Sequence, residues 1–266
     1  LFYYTIVAPG MSHVYSFALV SLLLLAGRRY AADGRAQWLP LMGALTGLLV
    51  LVRPVNGLAV LALPIVTGGR TVFLQRVRGL RHQAPALVAA VAVGALLAGL
   101  QPVIHWISTG HWWVDSYPGE HFHWSDPHMV DILLSYRKGL FVYTPLCALA
   151  LLGLPPMWRR SHFSALGWMA FMMLLTYVLS SWWNWWYGGS FSARPFVEYL
   201  PLFALPLGLA LHAARRAQRT ALLTAMALLV LLCQLQTYQA RYYQIHYEDM
   251  DRTRYWDVFL RLDRLP

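Results

Sequence analysis

Long apolar runs and short polar breaks alternate along the whole chain. The runs can be bounded at Gly10 to Gly27, Trp38 to Val52, Gly57 to Thr67, Ala84 to Ile107, Leu140 to Trp158, Phe163 to Trp183, Val197 to Leu211 and Thr220 to Tyr238. Helices of this kind must satisfy every backbone group internally if they sit in lipid, so the pattern predicts an all-α, polytopic transmembrane bundle. Eight spans are expected. The second and third runs are short: at about 1.5 Å per residue, Trp38 to Val52 reaches about 22 Å against a hydrocarbon core of about 30 Å. They read as a hairpin with Arg53 at its tip, and the alternative is one helix broken at Pro54.

Charge separates these alternatives, because cytoplasmic loops carry the excess of arginine and lysine. With eight spans, one side receives Arg28, Arg29, Arg35, Arg70, Arg76, Arg78, Arg81, Arg159, Arg160, Arg215, Arg216 and Arg219 against the single acid Asp33. The other side receives nine basic and ten acidic residues. Merging the short runs strands Arg28, Arg29 and Arg35 opposite the other arginine clusters, and the bias disappears. The hairpin is therefore kept, with both chain ends outside the cytoplasm.

Composition agrees with a membrane domain. The 266 residues are 58% hydrophobic and 12% charged, where soluble domains carry about 25% charge. The formal net charge of +10 reports orientation once it is sorted by face, so no nucleic-acid partner is inferred. Lys138 is the only lysine, and Cys147 and Cys233 each lie inside an apolar run, so no disulfide framework is read. The first residue is Leu1, with no basic leader or cleavage site after it, and the chain is expected to be the C-terminal portion of a longer protein. Residues 1–240 are assigned to the membrane domain, with outer loops at 108–139 and 184–196, and 241–266 to an amphipathic tail on the outer surface.

Most of the acids fall on the outer face, so acid–base chemistry is sought there. The loop 108–139 packs Asp115, Glu120, Asp126 and Asp131 beside His111, His121, His123 and His128. Glu120 or Asp126 can act as a general base. His121, His123 and His128 offer imidazole ligands for a divalent metal, although their spacing matches no closed zinc motif. The bland reading is a solvated loop whose aromatic residues sit in the interfacial belt. Outer cations near membrane depth are Arg137 and Lys138 just before a span, Arg194 before Pro195, and Arg53 at the hairpin tip. Such residues suit a lipid-linked phosphate, since arginine meets phosphate with a planar fork; snorkelling to head groups is the alternative. Trp185, Trp186 and Tyr187 read as an aromatic belt or as a stacking platform for a sugar ring.

In order along the chain, these elements resemble a known group. They are Ala8-Pro9-Gly10-Met11-Ser12-His13, Arg53-Pro54-Val55-Asn56, Tyr117-Pro118-Gly119-Glu120, Ser135-Tyr136-Arg137-Lys138-Gly139, Trp186 to Pro195, and the tail His246-Tyr247-Glu248-Asp249-Met250 with Tyr255-Trp256. The group is the GT-C class of polytopic glycosyltransferases, specifically bacterial membrane proteins similar to dolichyl-phosphate-mannose protein mannosyltransferases. The resemblance implies an enzyme of the bacterial inner membrane. It would take a sugar from a polyprenyl-phosphate donor on the outer leaflet and transfer it, with inversion, to the hydroxyl of a lipid, glycan or protein acceptor. It further implies that Arg137, Lys138 and Arg194 hold the donor phosphate, with Arg53 a weaker match. The usual catalytic aspartate of the class follows the first span and would precede Leu1, which leaves Glu120 and Asp126 as fallback candidates. A non-catalytic subunit or lipid carrier on the same scaffold is the competing reading. A solute transporter is less favoured, since no charge falls at mid-span and no paired broken helices occur.

Overall fold

The computed structural model describes residues 1–115, 117–261 and 263. Ser116 of the long loop and residues 262 and 264–266 of the expected tail lie outside the described residues. The chain is helical. Among the described residues no strand forms, and a lone antiparallel bridge pairs Phe122 with Trp182. Among the described residues, five helices are long and apolar enough to cross a membrane: His13–Asp33, Arg70–Thr109, His162–Ser180, Arg194–Ala213 and Arg216–Arg241.

The other three apolar runs do not form single helices of that length, for reasons written in their prolines. Trp38–Val52 ends at Arg53, whose backbone is extended, and Pro54 then opens a 3-10 segment that continues as Leu63–Val66. The run from Leu140 is cut into Leu140–Tyr143, Pro145–Ala150, a 3-10 turn at Leu151–Gly153, and Leu154–Arg160. Pro145 has no N–H to donate, and its ring drives the preceding residue out of the helical region. Thr144 accordingly sits at φ −136° and ψ 63°. Arg70–Thr109 is the opposite case, because the polar stretch before Ala84 stays helical through the 3-10 turn Leu80–Gln83.

The chain divides into two compact units. One comprises Tyr15–Glu120 and Met157–Met172. Its closest packing joins Trp38–Val52 to Ala84–Ala98 through small residues one turn apart on each helix. A Cβ added to Gly43 would strike the Ala90 carbonyl, and one added to Gly47 would strike the Gly94 carbonyl. Without a hydrophobic drive between helices in lipid, such backbone approach is what holds a pair together. Gly94 is close-packed in return, since a Cβ there would come within 2.9 Å of the Gly43 carbonyl oxygen. Gly47→Leu is expected to destabilise this unit by about 1–3 kcal/mol through overpacking. Thermal unfolding in detergent would register it, and an unchanged melting temperature would refute the tight crossing.

The second unit comprises Leu1–Val14, His121–Pro156 and the chain from Met173 onward. Here Gly153 takes the place where a side chain would collide with the backbone of Pro206, inside the helix Leu200–Ala213. After Arg216–Arg241 the segment from Ile245 to Val258 sends four side chains inward: Ile245, Met250, Tyr255 and Val258 are buried with Tyr143 and Phe191. The helix in this stretch is the short Arg252–Val258, whose first turn is capped by the Asp251 carboxylate accepting from Arg254 N at 2.8 Å. The segment keeps an outer side, with Trp256 exposed.

Candidate functional site

The second unit gathers most of the sequence-predicted cations and aromatics. His162–Ser180 ends in a tight aromatic turn. Tyr187 N donates to Asn184 O at 2.8 Å, and Gly188 N donates to the Asn184 side-chain oxygen at 3.1 Å. Tyr187 and Gly188 both take left-handed backbone, φ 59° and 61°. For tyrosine that conformation is costly, and it is held by its hydroxyl donating to Leu179 O at 2.9 Å. Immediately after, the Tyr247 ring lies against Gly189, where a Cβ would come within 3.1 Å of it, and Ser190 N donates to Tyr247 O at 3.1 Å.

This turn sorts the three expected sugar-stacking residues. Trp185 is buried and packs face to face with the His128 ring, centroids 5.5 Å apart, so it is an interior residue and not a platform. Tyr187 is turned back onto its own helix. Trp186 is half-buried, and the Arg137 guanidinium carbon lies 3.6 Å over its ring. A cation over an indole face is the strongest arrangement of its kind.

The cations differ from one another. Lys138 is 1% exposed, and its ammonium donates to the carbonyls of Ser190 and Tyr247, with the Ser190 hydroxyl at 3.4 Å. It therefore ties the turn at 135–139 to the 188–191 loop and to the segment at 246–249, and it is enclosed rather than presented. Burial, and the charges of Arg194 and Arg137 beside it, pull this amine down to about 7, with Glu248 opposing them. Arg137 is tethered on its other side. Its Nε donates to Glu248 O at 3.0 Å, and an Nη pairs with Asp249 at 3.4 Å. Arg194, opening the 3-10 segment Arg194–Tyr199, reaches the Met11 sulfur at 3.8 Å, and its charge acts on both Lys138 and Tyr4. Arg53 belongs to the other unit, at the junction of Trp38–Val52 and the 3-10 segment. Asn56, three residues on, is buried there and donates to the Ser16 hydroxyl at 2.9 Å.

Under the same loop lies a buried polar arrangement that sequence reasoning passed over. His13 Nδ1 and Glu198 Oε1 are 2.9 Å apart, with the two residues 3% and 0% exposed. Tyr4 packs edge-on against the His13 ring and clamps Phe191 both ways, donating to its carbonyl at 2.5 Å and accepting from its N–H at 3.2 Å. Glu198 falls inside an apolar run, which was the available signal, since an acid there needs a partner. Glu248 was also passed over as a site residue. One of its oxygens accepts from Trp186 Nε1 at 3.3 Å. An apolar cavity lined by Tyr3, Tyr4, Tyr143, Phe191, Phe196 and Cys233 adjoins the segment that carries Arg194.

The long loop is divided between the two units, with residues up to Glu120 in one and His121 onward in the other. Its second part is sewn to the end of His162–Ser180: His123 N donates to Ser181 O at 2.6 Å, His128 N to Ser180 O at 3.1 Å, and Trp183 N to His121 O at 3.1 Å. His121 and His123 are exposed with rings 4.8 Å apart, whereas His128 turns to Asp131 at 2.9 Å. Among the described residues no three His, Cys, Asp or Glu side chains are placed to hold a metal ion. The donor set expected for a divalent metal does not fit one, because the His121 and His123 rings lie against each other while the His128 ring is taken by Asp131. Asp126 is exposed, and Glu120 belongs to the other unit. No family model, curated protein or solved structure matches the chain.

Proposed function

We propose that the chain is the membrane part of a glycosyltransferase, similar to the GT-C class, that moves a sugar from a polyprenyl-phosphate donor to an acceptor hydroxyl on the non-cytoplasmic face of a bacterial inner membrane. In this reading the chain crosses eight times. The five long helices are joined by the hairpin around Arg53 and by the proline-broken stretch from Leu140 to Arg160, with the twelve basic residues of the cytoplasmic loops setting the orientation. The observation that carries the reading is the gathering of three cations in one unit: the charges of Arg137 and Arg194 both act on Lys138, Arg137 lies over Trp186, and an apolar cavity adjoins the segment that carries Arg194.

Arg137 and Arg194 supply charge to the donor phosphate, and the cavity receives the first part of its isoprenoid chain. Lys138 is assigned to positioning, because both partners of its amine are protein carbonyls. Glu248, hydrogen-bonded to Trp186 and adjoining Arg137 through its backbone, replaces Glu120 and Asp126 as the acid associated with the cations. As the acceptor oxygen bonds to C1 and its proton passes to the Glu248 carboxylate, the C1–O bond to the phosphate breaks, the bonding pair passes to the phosphate oxygen, and the two guanidiniums stabilise the charge that develops there.

A non-catalytic lipid carrier on this scaffold is the second reading. It is favoured by the engagement of the nearest acids, Glu198 with His13, Glu248 with Trp186 and Asp249 with Arg137. Incubation of the purified protein with polyprenyl-phosphate mannose or glucose separates the two. Transfer or slow hydrolysis of the sugar that drops about tenfold in Arg137→Ala, as for loss of one charge-assisted contact, supports the enzyme. Saturable donor binding with no sugar release supports the carrier, and no binding of either donor refutes both.

A further inference from the structure

The unit that holds Arg53 contains a hollow whose lining stands independent of the transferase reading. Between the helices His13–Asp33 and Trp38–Val52 lies a hollow of about 410 Å³. Leu22, Leu25, Leu41 and Leu45 wall it, and Arg29 and Arg35 stand at its mouth. The residues from the first helix recur at three- and four-residue intervals, as do those from the second, so each helix offers one continuous stripe to the hollow. Leu22, Leu25 and Leu41 are 50%, 52% and 44% exposed, which leaves apolar wall uncovered by protein.

The mouth is rigidly built. Between the two helices, Asp33 accepts from Arg35 N at 2.9 Å and from Trp38 Nε1 at 3.1 Å. Arg76 donates to the carbonyls of Ala31 and Ala32 at 3.0 and 3.2 Å, and the Gln83 side chain donates to Gly34 O at 2.7 Å. Gly34 itself has φ 67°, and a Cβ there would strike the Arg76 guanidinium. Asp33 is thus spent mainly on the turn and Trp38, with its contact to the Arg35 side chain a loose 3.7 Å. Two exposed guanidiniums face one acid, and Arg29 makes no hydrogen bond or ion pair among the described residues.

We infer that this hollow is a binding site for an anionic phospholipid, whose phosphate is held by Arg29 and Arg35 while one acyl chain lies along Leu22, Leu25, Leu41 and Leu45. Charge complementarity selects the headgroup, and the apolar wall at the same site favours a ligand that carries an acyl chain over a free anion. Basic pockets between spans on an arginine-rich face are where such lipids bind.

The test is native mass spectrometry of the full chain exchanged into mixed micelles of phosphatidylglycerol and phosphatidylcholine at equal concentration. Retention of phosphatidylglycerol is expected at about thirtyfold preference, from two arginines at a lipid surface. Arg29→Gln with Arg35→Gln should abolish the preference, and Arg159→Gln with Arg160→Gln should leave it intact. Leu25→Trp with Leu41→Trp, which fills the hollow and keeps both arginines, should lower retention of both lipids. Equal retention of the two lipids by wild type would overturn the inference. So would equal loss in the Arg159/Arg160 control, undiminished retention in the tryptophan variant, or displacement of bound lipid by millimolar inorganic phosphate.

Discussion

Arg194→Ala is expected to lower glycosyl transfer by about 10²- to 10³-fold, the range found when one preorganised donor to a developing anion is removed. The effect should fall on kcat more than on KM. A polyprenyl-phosphate sugar enters with one negative charge on its phosphate and leaves as a lipid phosphate bearing the bonding pair, so a guanidinium beside it gains most in the transition state. Arg194 is better placed for this than Arg137. Arg137 is already shared between the Glu248 carbonyl, Asp249 and the Trp186 ring. Arg194 opens a largely buried segment from Pro195 to Tyr199, where solvent screens its charge less. Arg194→Lys keeps the charge and loses the planar fork, so it should retain an intermediate rate. Turnover of polyprenyl-phosphate sugar by detergent-purified variants is the measurement, with thermal unfolding as the check on folding. Wild-type kcat in Arg194→Ala would remove this residue from the chemistry.

The helical, membrane-compatible character of the chain is legible from periodicity and charge alone, because twenty-odd apolar residues between arginine clusters leave few other solutions. What periodicity misreads is continuity. The run from Leu140 to Trp158 has the hydropathy of one span, yet Pro145 costs it a hydrogen bond and pushes Thr144 off the helix. Proximity in three dimensions is the other loss. Arg137, Lys138 and Arg194 were singled out individually for their depth, but only the fold reveals that Lys138 is consumed by the Ser190 and Tyr247 carbonyls. The pairing of His13 with Glu198 joins residues 185 apart in sequence and leaves no local trace, except that an acid stands in an apolar run. The aromatic turn at Trp182 to Tyr187 reads as a single surface in sequence. In the fold its members have separate tasks: Trp182 packs on Phe122, Trp185 on His128, Trp186 under Arg137, and the Tyr187 hydroxyl returns to Leu179 O.

Lys138→Met is expected to cost about 2–6 kcal/mol of stability, because two buried carbonyls lose their donor and each unsatisfied group costs about 1–3 kcal/mol. The substitution keeps most of the side chain's volume, so packing loss adds little. Lys138 is also the chain's only lysine, and its stabilising effect must depend on pH. Its folded value, about 7, lies below its ordinary value of 10.5. Between those limits the unfolded chain binds a proton that the folded chain does not, so stability rises as pH increases across the window and falls as acid returns the charge. The neutral amine suits its place: it still has two N–H donors for two carbonyls, and it no longer repels Arg137 and Arg194. The difference in unfolding free energy between wild type and Lys138→Met should therefore widen by about 1.4 kcal/mol per pH unit above pH 7 and level off below it. Denaturant unfolding in detergent from pH 6 to pH 10 measures it, with other titrating groups cancelling between the two proteins. A difference that stays flat with pH, or that shrinks as pH rises, would mean that Lys138 holds the loop as a full cation, enclosed between the Ser190 and Tyr247 carbonyls.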